Sequence, residues 1–436
     1  MRRVVVIGAS LAGLRAAQAV RAAGHDGELV VVGAEERLPY TRPPLSKELL
    51  AGGQTPDGCA FPCDTIDAEW RLGVAATGLD RHRRTVELAD GDLLPYDRLI
   101  LATGSRARPW PGAGAGLVGV HTLRDLDDAL RLRDALQPGA RLAIVGAGFI
   151  GCEVAATARK LGVEVTLIDV APQPMLPLGP ELGALCADMH REHGVDLRLG
   201  VGVAALAGRG RVEAVELADG SRVEADAVLV GLGGAPNTEW LADSGLTLDP
   251  GVVCDATLTA AADPDILAAG DIASWPHPLA EAELVRVEHW TVAAEHGMLA
   301  GRNALLDPYE RKPHELPPYF WSDQYEVKIQ AVGFPARAER LEVLESTPEG
   351  DRFVAAGARG GRLVGVIALN AAKRLAWYRR QLAGRPAYDE VRGAVLPTRR
   401  HSAPGGRAMN ALVLQHGDLG PPGVLGDWAA ARGIEL

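Results

Sequence analysis

The sequence predicts an α/β protein with two similar β-α-β units and a further region on their C-terminal side. Its 436 residues allow about three domains at roughly 150 residues each. A β-branched run, a glycine-rich turn and an Ala-rich stretch occur at 2–24 and again at 140–162. Each copy continues into another apolar run, at 28–35 and 163–169. Strand, helix and strand in this order are typical of a parallel sheet.

The composition limits the classes of function. Hydrophobic residues make up 47% of the chain and charged residues 23%, which is ordinary for a globular protein. The net charge of −11 argues against general nucleic-acid binding, because the chain would be repelled by a phosphate backbone. No apolar run is long enough for a transmembrane helix, and glycines interrupt the apolar start as they would not in a signal peptide. Five scattered cysteines favour a reducing, cytoplasmic location.

The first unit carries a glycine-rich turn of the dinucleotide-binding kind. Gly8 and Gly13 stand where the tight turn and the close helix-strand contact need glycine, and Ser10 occupies the middle position. Glu35 ends the second strand, where a carboxylate accepts hydrogen bonds from an adenosine ribose. A plain strand-to-helix turn is the alternative for a single copy. Two copies, each followed by an acid, favour two Rossmann-like dinucleotide sites.

The second unit has the complete G-x-G-x-x-G spacing in Gly146, Gly148 and Gly151. Asp169 ends the following strand, 23 residues after the first of these glycines. It is either a ribose ligand or an ordinary charge at a strand end. As a ligand it would repel a 2′-phosphate, and residues 169–174 contain no arginine to receive one. We therefore expect NADH rather than NADPH at this unit.

Six further stretches, in this order along the chain, identify a family. They are LPYTRPPLSKELL (38–50), LILATGSRARP (99–109), GLGGAPNTEWL (231–241), ILAAGDIA (266–273), RVEHWTVAAEHG (286–297) and YFWSDQYEVKIQAVG (319–333). Together they resemble the FAD-dependent NADH:ferredoxin reductases of cytochrome P450 and ring-dioxygenase systems, which include putidaredoxin reductase and are close to rubredoxin reductase. The resemblance extends from residue 2 to about residue 390.

The resemblance implies a glutathione-reductase-like architecture. An FAD domain (1–109 and 243–318) would be split by an inserted NAD domain (110–242). An α+β reductase domain would follow at 319–390. Residues 391–436 depart from the family: 391–408 contain four arginines and no acid, which is typical of a flexible basic linker, and a short C-terminal extension follows.

The resemblance also implies which residues hold the cofactors. The glycine turn of the first unit and Glu35 would bind the adenosine and pyrophosphate of FAD, and the second unit would bind NADH. The other residues that the family places at FAD are Arg42, Lys47, Thr103, Gly104, Asp271, Trp290 and Trp321.

Lys47 and Glu153 are the expected catalytic pair. In the family the matching glutamate, on the first turn of the helix of the NAD domain, projects toward the flavin and pairs with the lysine. A lysine beside the flavin can stabilise negative charge on the reduced ring, and a partly buried ammonium needs a carboxylate partner. The alternative is a surface pair with almost no effect.

The chain lacks the redox cysteine pair of disulfide reductases and the single cysteine of coenzyme A disulfide reductases. Cys59 and Cys63 come after the motif where such a cysteine would lie, and no second ligand pair suggests a metal. Electrons from NADH would therefore leave FAD directly, one at a time, for a [2Fe-2S] ferredoxin or a rubredoxin that feeds a P450 or ring-hydroxylating oxygenase. The alternatives are an NADH-sensing flavoprotein resembling apoptosis-inducing factor, or an NADH oxidase.

Ferredoxins are usually acidic, so a basic docking face is expected on the reductase. The candidate cations are Arg302, Arg311, Lys312, Arg374, Arg379 and Arg380.

Overall fold

The first β-α-β unit lies in a parallel sheet. In the computed structural model, which describes residues 3–347 and 352–393, β1 (Arg3–Ile7) and β2 (Glu28–Gly33) are parallel neighbours joined by α1 (Leu11–Ala22). The interior of β1 is fully buried, as an unbroken run of valines predicts for a parallel strand. The strands that follow are β3 (Glu69–Leu72), β4 (Ala76–Asp80), β5 (Thr85–Leu88), β6 (Leu93–Pro95), β7 (Arg98–Leu101) and β8 (Ser105–Ala107), with 3₁₀ turns at Pro43–Ser46 and Asp57–Cys59.

The second β-α-β unit repeats this design. Its two strands pair in parallel and a helix connects them, as the sequence pattern predicts. The elements of this stretch are β9 (Val120–His121), α2 (Leu126–Ala135), β10 (Arg141–Val145), α3 (Phe149–Lys160), β11 (Glu164–Asp169), α4 (Pro180–Glu192), β12 (Asp196–Leu199), β13 (Val203–Gly208), β14 (Val212–Leu217), β15 (Arg222–Glu224), β16 (Ala227–Val230) and β17 (Gly234–Pro236), with 3₁₀ turns at Leu176–Leu178 and Glu239–Leu241.

The chain then returns to the first sheet. The elements of this stretch are β18 (Val252–Val253), β19 (Ile266–Ala268), β20 (Ala273–Pro276), β21 (Leu284–Val285) and α5 (Trp290–Asn303), with 3₁₀ turns at Gly270–Ile272, Pro278–Ala280 and Pro308–Glu310. The strand order of the first parallel sheet is β19-β7-β1-β2-β3, and that of the second is β12-β11-β10-β16-β9. Because β19 comes after the whole second sheet in the chain, the first domain is split by an insertion, which confirms the predicted fold class.

The third region is an antiparallel sheet with the strand order β22 (Tyr319–Gln324), β23 (Val327–Gly333), β26 (Arg362–Leu369), β25 (Phe353–Arg359) and β24 (Arg340–Ser346), and α6 (Ala372–Ala383) packs on β23 and β26. This is the α+β domain that the resemblance implies. Its other elements are α7 (Tyr388–Arg392) and a 3₁₀ turn at Pro335–Arg337.

Two glycines bring α5 into close contact with α1. A Cβ atom added to Gly297 would lie 2.2 Å from the carbonyl oxygen of Ala12, and one added to Gly301 would lie 2.4 Å from that of Ala16. Only glycine permits this approach of two helix backbones. The contact sets the N-terminal end of α5, with Trp290, beside the first glycine turn.

Over residues 3–347 and 352–393, no helix is long and apolar enough to cross a membrane. The predicted linker begins too early, because Val391 and Arg392 belong to α7 and Val391 is buried. Residues 394–436, with the rest of the predicted linker and the extension, lie outside the described residues.

Candidate active site

A cavity of about 830 Å³ opens at the carboxyl ends of β1, β2 and β7. Ligand pockets range from roughly 300 to 1,000 Å³, so this cavity is at the upper end. The carboxyl edge of a parallel sheet is also where α/β proteins bind ligands. Of the predicted site residues, the lining includes Gly8, Ser10, Glu35, Arg42, Lys47, Thr103, Gly104, Glu153, Asp271, Trp290 and Trp321.

The first glycine turn is closed by backbone contacts. Gly8 has φ +119°, and a Cβ added there would lie 2.1 Å from the carbonyl oxygen of Ala102. A Cβ on Gly13 would lie 1.8 Å from the carbonyl oxygen of Gly8. Ser10 is the N-cap of α1, and its hydroxyl makes no capping bond to that helix. The hydroxyl and the free N–H groups of the helix terminus are therefore available to a phosphate.

Glu35 is held by two side chains from the loop after β2. The hydroxyl of Tyr40 and Nη2 of Arg42 each donate to the Glu35 carboxylate at 2.5 Å. Arg42 also donates from Nη1 to the backbone carbonyl of Arg124, at 2.6 Å, and from Nε to Ser10, at 3.4 Å. Tyr40 and the Glu35 carboxylate raise the pKa of Arg42 despite its burial, so this guanidinium is a permanent positive charge at the cavity.

Asp271 lies at the opposite wall, in the 3₁₀ turn that follows β19. It is 8% exposed, and its carboxylate accepts hydrogen bonds from Arg124 at 2.6 Å and from the Ser105 hydroxyl at 2.9 Å. Arg124 also donates to the backbone carbonyl of Ser105. Arg124 thus connects both walls, through its backbone oxygen to Arg42 and through its side chain to Asp271.

Thr103 and Gly104 follow β7, where the chain leaves the first sheet. The Thr103 hydroxyl donates to the backbone oxygen of Asn237 at 3.0 Å, and the Asn237 amide donates back to the oxygen of Thr103 at 2.8 Å. Gly104 has φ +66°, the left-handed conformation that favours glycine. This reciprocal pair fastens the outgoing chain to the returning chain at the cavity edge.

Lys47 and Glu153 are brought together across 106 residues of sequence. The Lys47 ammonium is 2.5 Å from Oε2 of Glu153, and the Ser46 hydroxyl donates to the same oxygen at 2.5 Å. Glu153 is 4% exposed. It lies on the second turn of α3 rather than on the first as predicted, because the helix already begins at Phe149. The surface alternative is excluded by this burial.

An aromatic wall faces this pair. Trp290 and Trp321 meet edge to face, with ring centroids 6.2 Å apart, and His289 lies 5.0 Å from Phe320. Burial lowers the pKa of His289 to about 4, so its ring is neutral near pH 7. Nδ1 of His289 and Nε1 of Trp290 are buried and have no partner among the described residues. Orphaned polar atoms in a cavity wall are what a bound polar ring system would satisfy.

The second glycine turn lies outside the cavity lining. A Cβ on Gly146 would lie 2.3 Å from the carbonyl oxygen of Gly231, and one on Gly151 would lie 2.0 Å from that of Gly146. Gly148 has open space around its missing side chain, as the position nearest a pyrophosphate requires. Asp169 accepts hydrogen bonds from the backbone N–H groups of Ala147 and Ala171.

The part of the chain that the structure describes contains neither a cysteine in the cavity lining nor a metal-binding cluster. All five cysteines are free and buried, and none lines the cavity. Burial raises the pKa of both Cys59 and Cys63, so neither is an activated thiolate. Residues 3–347 and 352–393 contain no cluster of His, Cys, Asp and Glu that could hold a metal ion.

The sequence reasoning missed several cavity residues. Tyr40, Ser46, Ser105, Arg124, Asn237 and His289 all contribute to the walls described above. All of them except Arg124 stand in stretches that carry the resemblance, and Ser46, Ser105 and His289 are directly next to residues that were predicted. Arg124 carried no signal, because its partners come from three distant segments.

Comparison with known proteins agrees with this geometry. The family described as pyridine nucleotide-disulphide oxidoreductase matches residues 2–297, and the family described as reductase C-terminal matches residues 319–394. Rhodocoxin reductase of Rhodococcus erythropolis is 38% identical over 84% of this chain and 86% of its own. The ferredoxin–NAD(+) reductase component of the biphenyl dioxygenase system of Paraburkholderia xenovorans is 37% identical over 85% of this chain and 90% of its own.

A solved structure extends the likeness to the fold. The putidaredoxin reductase–putidaredoxin covalent complex contains a chain that matches with a TM-score of 0.84 and 34% identity, over 90% of this chain and 96% of that one. The sequence resemblance is therefore confirmed by both comparisons. The chain belongs to the pyridine nucleotide-disulphide oxidoreductase family, among the ferredoxin reductases that carry the C-terminal reductase domain.

Proposed function

We propose that this protein is an FAD-dependent NADH:ferredoxin reductase of an oxygenase system. The observation that carries the proposal is the Lys47–Glu153 pair, buried in the wall of a dinucleotide-sized cavity whose described lining contains no cysteine. Relatives of 37% and 38% identity over most of both chains are named as reductases of the same kind. A thiol-free site cannot pass electrons through a protein disulfide, so they leave the cofactor directly.

FAD would occupy the cavity, which is lined from the first glycine turn to the aromatic wall by residues of the predicted FAD site. Gly8, Ser10 and Gly13 would hold the pyrophosphate, and Glu35 the ribose, with Arg42 beside them. Thr103, Gly104 and Asp271 would contact the middle of the molecule. Lys47, Trp290 and Trp321 would surround the flavin ring. Nδ1 of His289 and Nε1 of Trp290, which have no hydrogen-bond partner among the described residues, would lie beside it. Bound there, FAD would accept two electrons together from NADH and pass them on one at a time.

NADH would bind the second glycine turn through Gly146, Gly148, Gly151 and Asp169. Its nicotinamide would reach the cavity along α3, on which Glu153 stands. Glu153 holds the Lys47 ammonium in the cavity wall, where positive charge favours electron-rich ring systems. Hydride transfer depends on alignment, and in this proposal the Lys47–Glu153 pair contributes to it.

The partner in this proposal is a [2Fe-2S] ferredoxin or a rubredoxin. The basic docking face needs one correction: Arg311 is 6% exposed, and it donates to the backbone oxygen of Asn303 and to Thr259, so it cannot meet a partner. Arg374 and Arg379 are paired with Glu345 and Glu295. The candidates that remain exposed, and make no ion pair within the described residues, are Arg302, Lys312 and Arg380.

A cytoplasmic location belongs to the same proposal. Five free, buried thiols favour a reducing compartment. The electron acceptor that sustains turnover distinguishes the reductase from the two alternatives, the NADH sensor and the NADH oxidase.

The test is NADH consumption by the FAD-loaded protein with three acceptors: a [2Fe-2S] ferredoxin coupled to cytochrome c, a rubredoxin, and oxygen alone. We expect fast, sustained turnover with an iron-sulfur protein and little with oxygen. Glu153→Ala should retain FAD and slow flavin reduction by NADH, whereas the exposed Glu239→Ala should match the native protein. Turnover with oxygen alone would identify an oxidase. A stable NADH complex without turnover would identify a sensor.

A further inference from the structure

A row of buried polar side chains leads from the Lys47–Glu153 pair into the interior. Oε1 of Glu153, the oxygen that Lys47 does not contact, accepts from the Ser322 hydroxyl at 2.8 Å. Nε2 of Gln324 lies 3.1 Å from Ser322 Oγ, and Oε1 of Gln324 lies 3.1 Å from Nε2 of His190. Each member of this row therefore touches the next.

The charge of Glu153 fixes the direction of every bond in the row. A carboxylate only accepts, so the Ser322 hydroxyl gives it its one proton and must accept from the Gln324 amide. The amide carbonyl of Gln324 then faces His190, whose Nε2 must carry the proton. Burial lowers the pKa of His190 to about 4, which keeps the ring neutral and leaves Nδ1 to accept from the Tyr325 hydroxyl, 3.1 Å away. All the donors point toward Glu153.

This row is part of the core and not of the surface. Ser322, Gln324 and His190 are fully buried. Buried polar groups cost free energy when any of them is unpaired, and donors that point one way strengthen one another. Apolar side chains of the same volume would fill such a space at no loss of stability. Because every hydrogen bond in this row is directed toward Glu153, the row indicates a function in holding the Glu153 carboxylate.

We propose that His190 and Gln324 are positioning residues that hold Glu153 against Lys47 from outside the cofactor cavity. The proposal rests on the proposed function, since it concerns the same ion pair. His190 stands on α4 and Glu153 on α3, whereas Ser322 and Gln324 belong to β22. The orientation of the pair is therefore set jointly by the inserted domain and the C-terminal sheet. Without the proton on His190 Nε2, the Gln324 amide is free to turn and the Ser322 hydroxyl loses its fixed donor.

The test compares His190→Leu with His190→Gln, which can present an amide N–H in place of Nε2. The control is His193→Leu, which lies after α4 and stacks on Tyr325 without joining the row. In the FAD-loaded proteins, three quantities are measured: the single-turnover rate of flavin reduction by NADH, the dissociation constant of NAD⁺, and the flavin midpoint potential against reference dyes with dithionite.

We expect His190→Leu to slow flavin reduction about tenfold, the effect of one net hydrogen bond, with an unchanged NAD⁺ dissociation constant. The midpoint potential should fall, because a displaced Lys47 stabilises the reduced ring less. His190→Gln should recover most of both losses, and His193→Leu should match the native protein. Ser322→Ala, which changes the side-chain volume little, should reproduce the effects of His190→Leu. If His190→Leu does not fold, Ser322→Ala tests the proposal in its place.

Two results would overturn the inference. One is a His190→Leu or Ser322→Ala protein whose melting temperature falls while its reduction rate and potential stay native. The other is a His190→Gln protein as impaired as His190→Leu. If instead the native protein binds no flavin, or is not reduced by NADH, the proposed function itself has failed.

Discussion

The two glycine turns have nearly the same backbone but hold their acidic residues by different means. Gly8 and Gly146 both have strongly positive φ, and each packs against a neighbouring backbone carbonyl. Glu35, however, is bound by side chains, those of Tyr40 and Arg42. Asp169 is bound by backbone N–H groups of its own unit.

This difference separates an enclosed site from an open one. Arg42 bonds to the backbone of Arg124, and the Arg124 side chain reaches Asp271, so the first site is assembled from segments spread over more than half of the chain. The predicted residues of the second site all lie within residues 146–171. An enclosed site made of many segments suits a cofactor that stays bound, and a local, open site suits a nucleotide that must leave at every turnover.

The largest expected effect is that of Gly8→Ala. The new Cβ would lie 2.1 Å from a backbone oxygen, at a φ of +119° that alanine avoids. We expect the purified protein to contain no FAD, measured as the ratio of flavin to protein absorbance. Gly148→Ala is the matched control, because nothing lies within 4 Å of its added Cβ. If Gly148→Ala also lost FAD, the two sites would not be separate.

The second expected effect is that of acid on the enclosed site. Burial lowers the pKa of His277 to about 4 and that of His296 well below its usual range. As the pH falls below about 6.5, each of these histidines binds a proton in the unfolded chain but not in the folded chain. The resulting loss of stability approaches about 1.4 kcal/mol per pH unit for each histidine. His296 also accepts from the N–H of Gly270, next to Asp271.

Between pH 6.5 and pH 5 these two histidines should cost about 3 kcal/mol of stability. Denaturant unfolding followed by flavin fluorescence at both pH values measures it. His277→Gln and His296→Gln should each flatten the pH dependence. A slope equal to that of the native protein in both variants would show that other groups cause the loss.

These groups show where sequence reasoning stops. The β-α-β units were predictable because valine runs, glycine turns and Ala-rich helices are local patterns, and the glycine positions follow from backbone sterics. Lys47 and Glu153 were placed only through the resemblance. Arg124 was beyond prediction, since its partners meet only in the folded chain. Arg311 was misjudged as surface because its bonds to Asn303 and Thr259 form at long range.

The third expected effect is that of Arg124→Leu, which breaks the link between the two walls of the enclosed site. Asp271 would stay buried with Ser105 as its remaining side-chain donor. We expect the FAD dissociation constant to rise roughly 30-fold, or about 2 kcal/mol, with unchanged NADH binding. Titration of the apoprotein with FAD measures it. Arg222→Leu is the control, because its pair with Glu224 is exposed and Arg222 does not line the cavity. An equal loss of FAD affinity in both variants would show that Arg124 contributes no more than an ordinary surface charge.

The smallest expected effect is at the open site. Asp169→Ala would remove the acceptor of the Ala147 and Ala171 N–H groups and loosen the turn. Asp169→Asn keeps a carbonyl oxygen for one of these two N–H groups and removes the charge, so it disturbs the turn less than Asp169→Ala. We expect kcat/KM for NADH to fall about tenfold, the effect of one charge-assisted hydrogen bond, while kcat/KM for NADPH does not fall, because repulsion of its 2′-phosphate is relieved. FAD content should remain native, since neither Asp169 nor the second glycine turn lines the cavity. Equal kcat/KM values for NADH and NADPH in the native protein would show that Asp169 does not select the nucleotide, and loss of FAD in Asp169→Asn would show that the open site helps to hold the enclosed one.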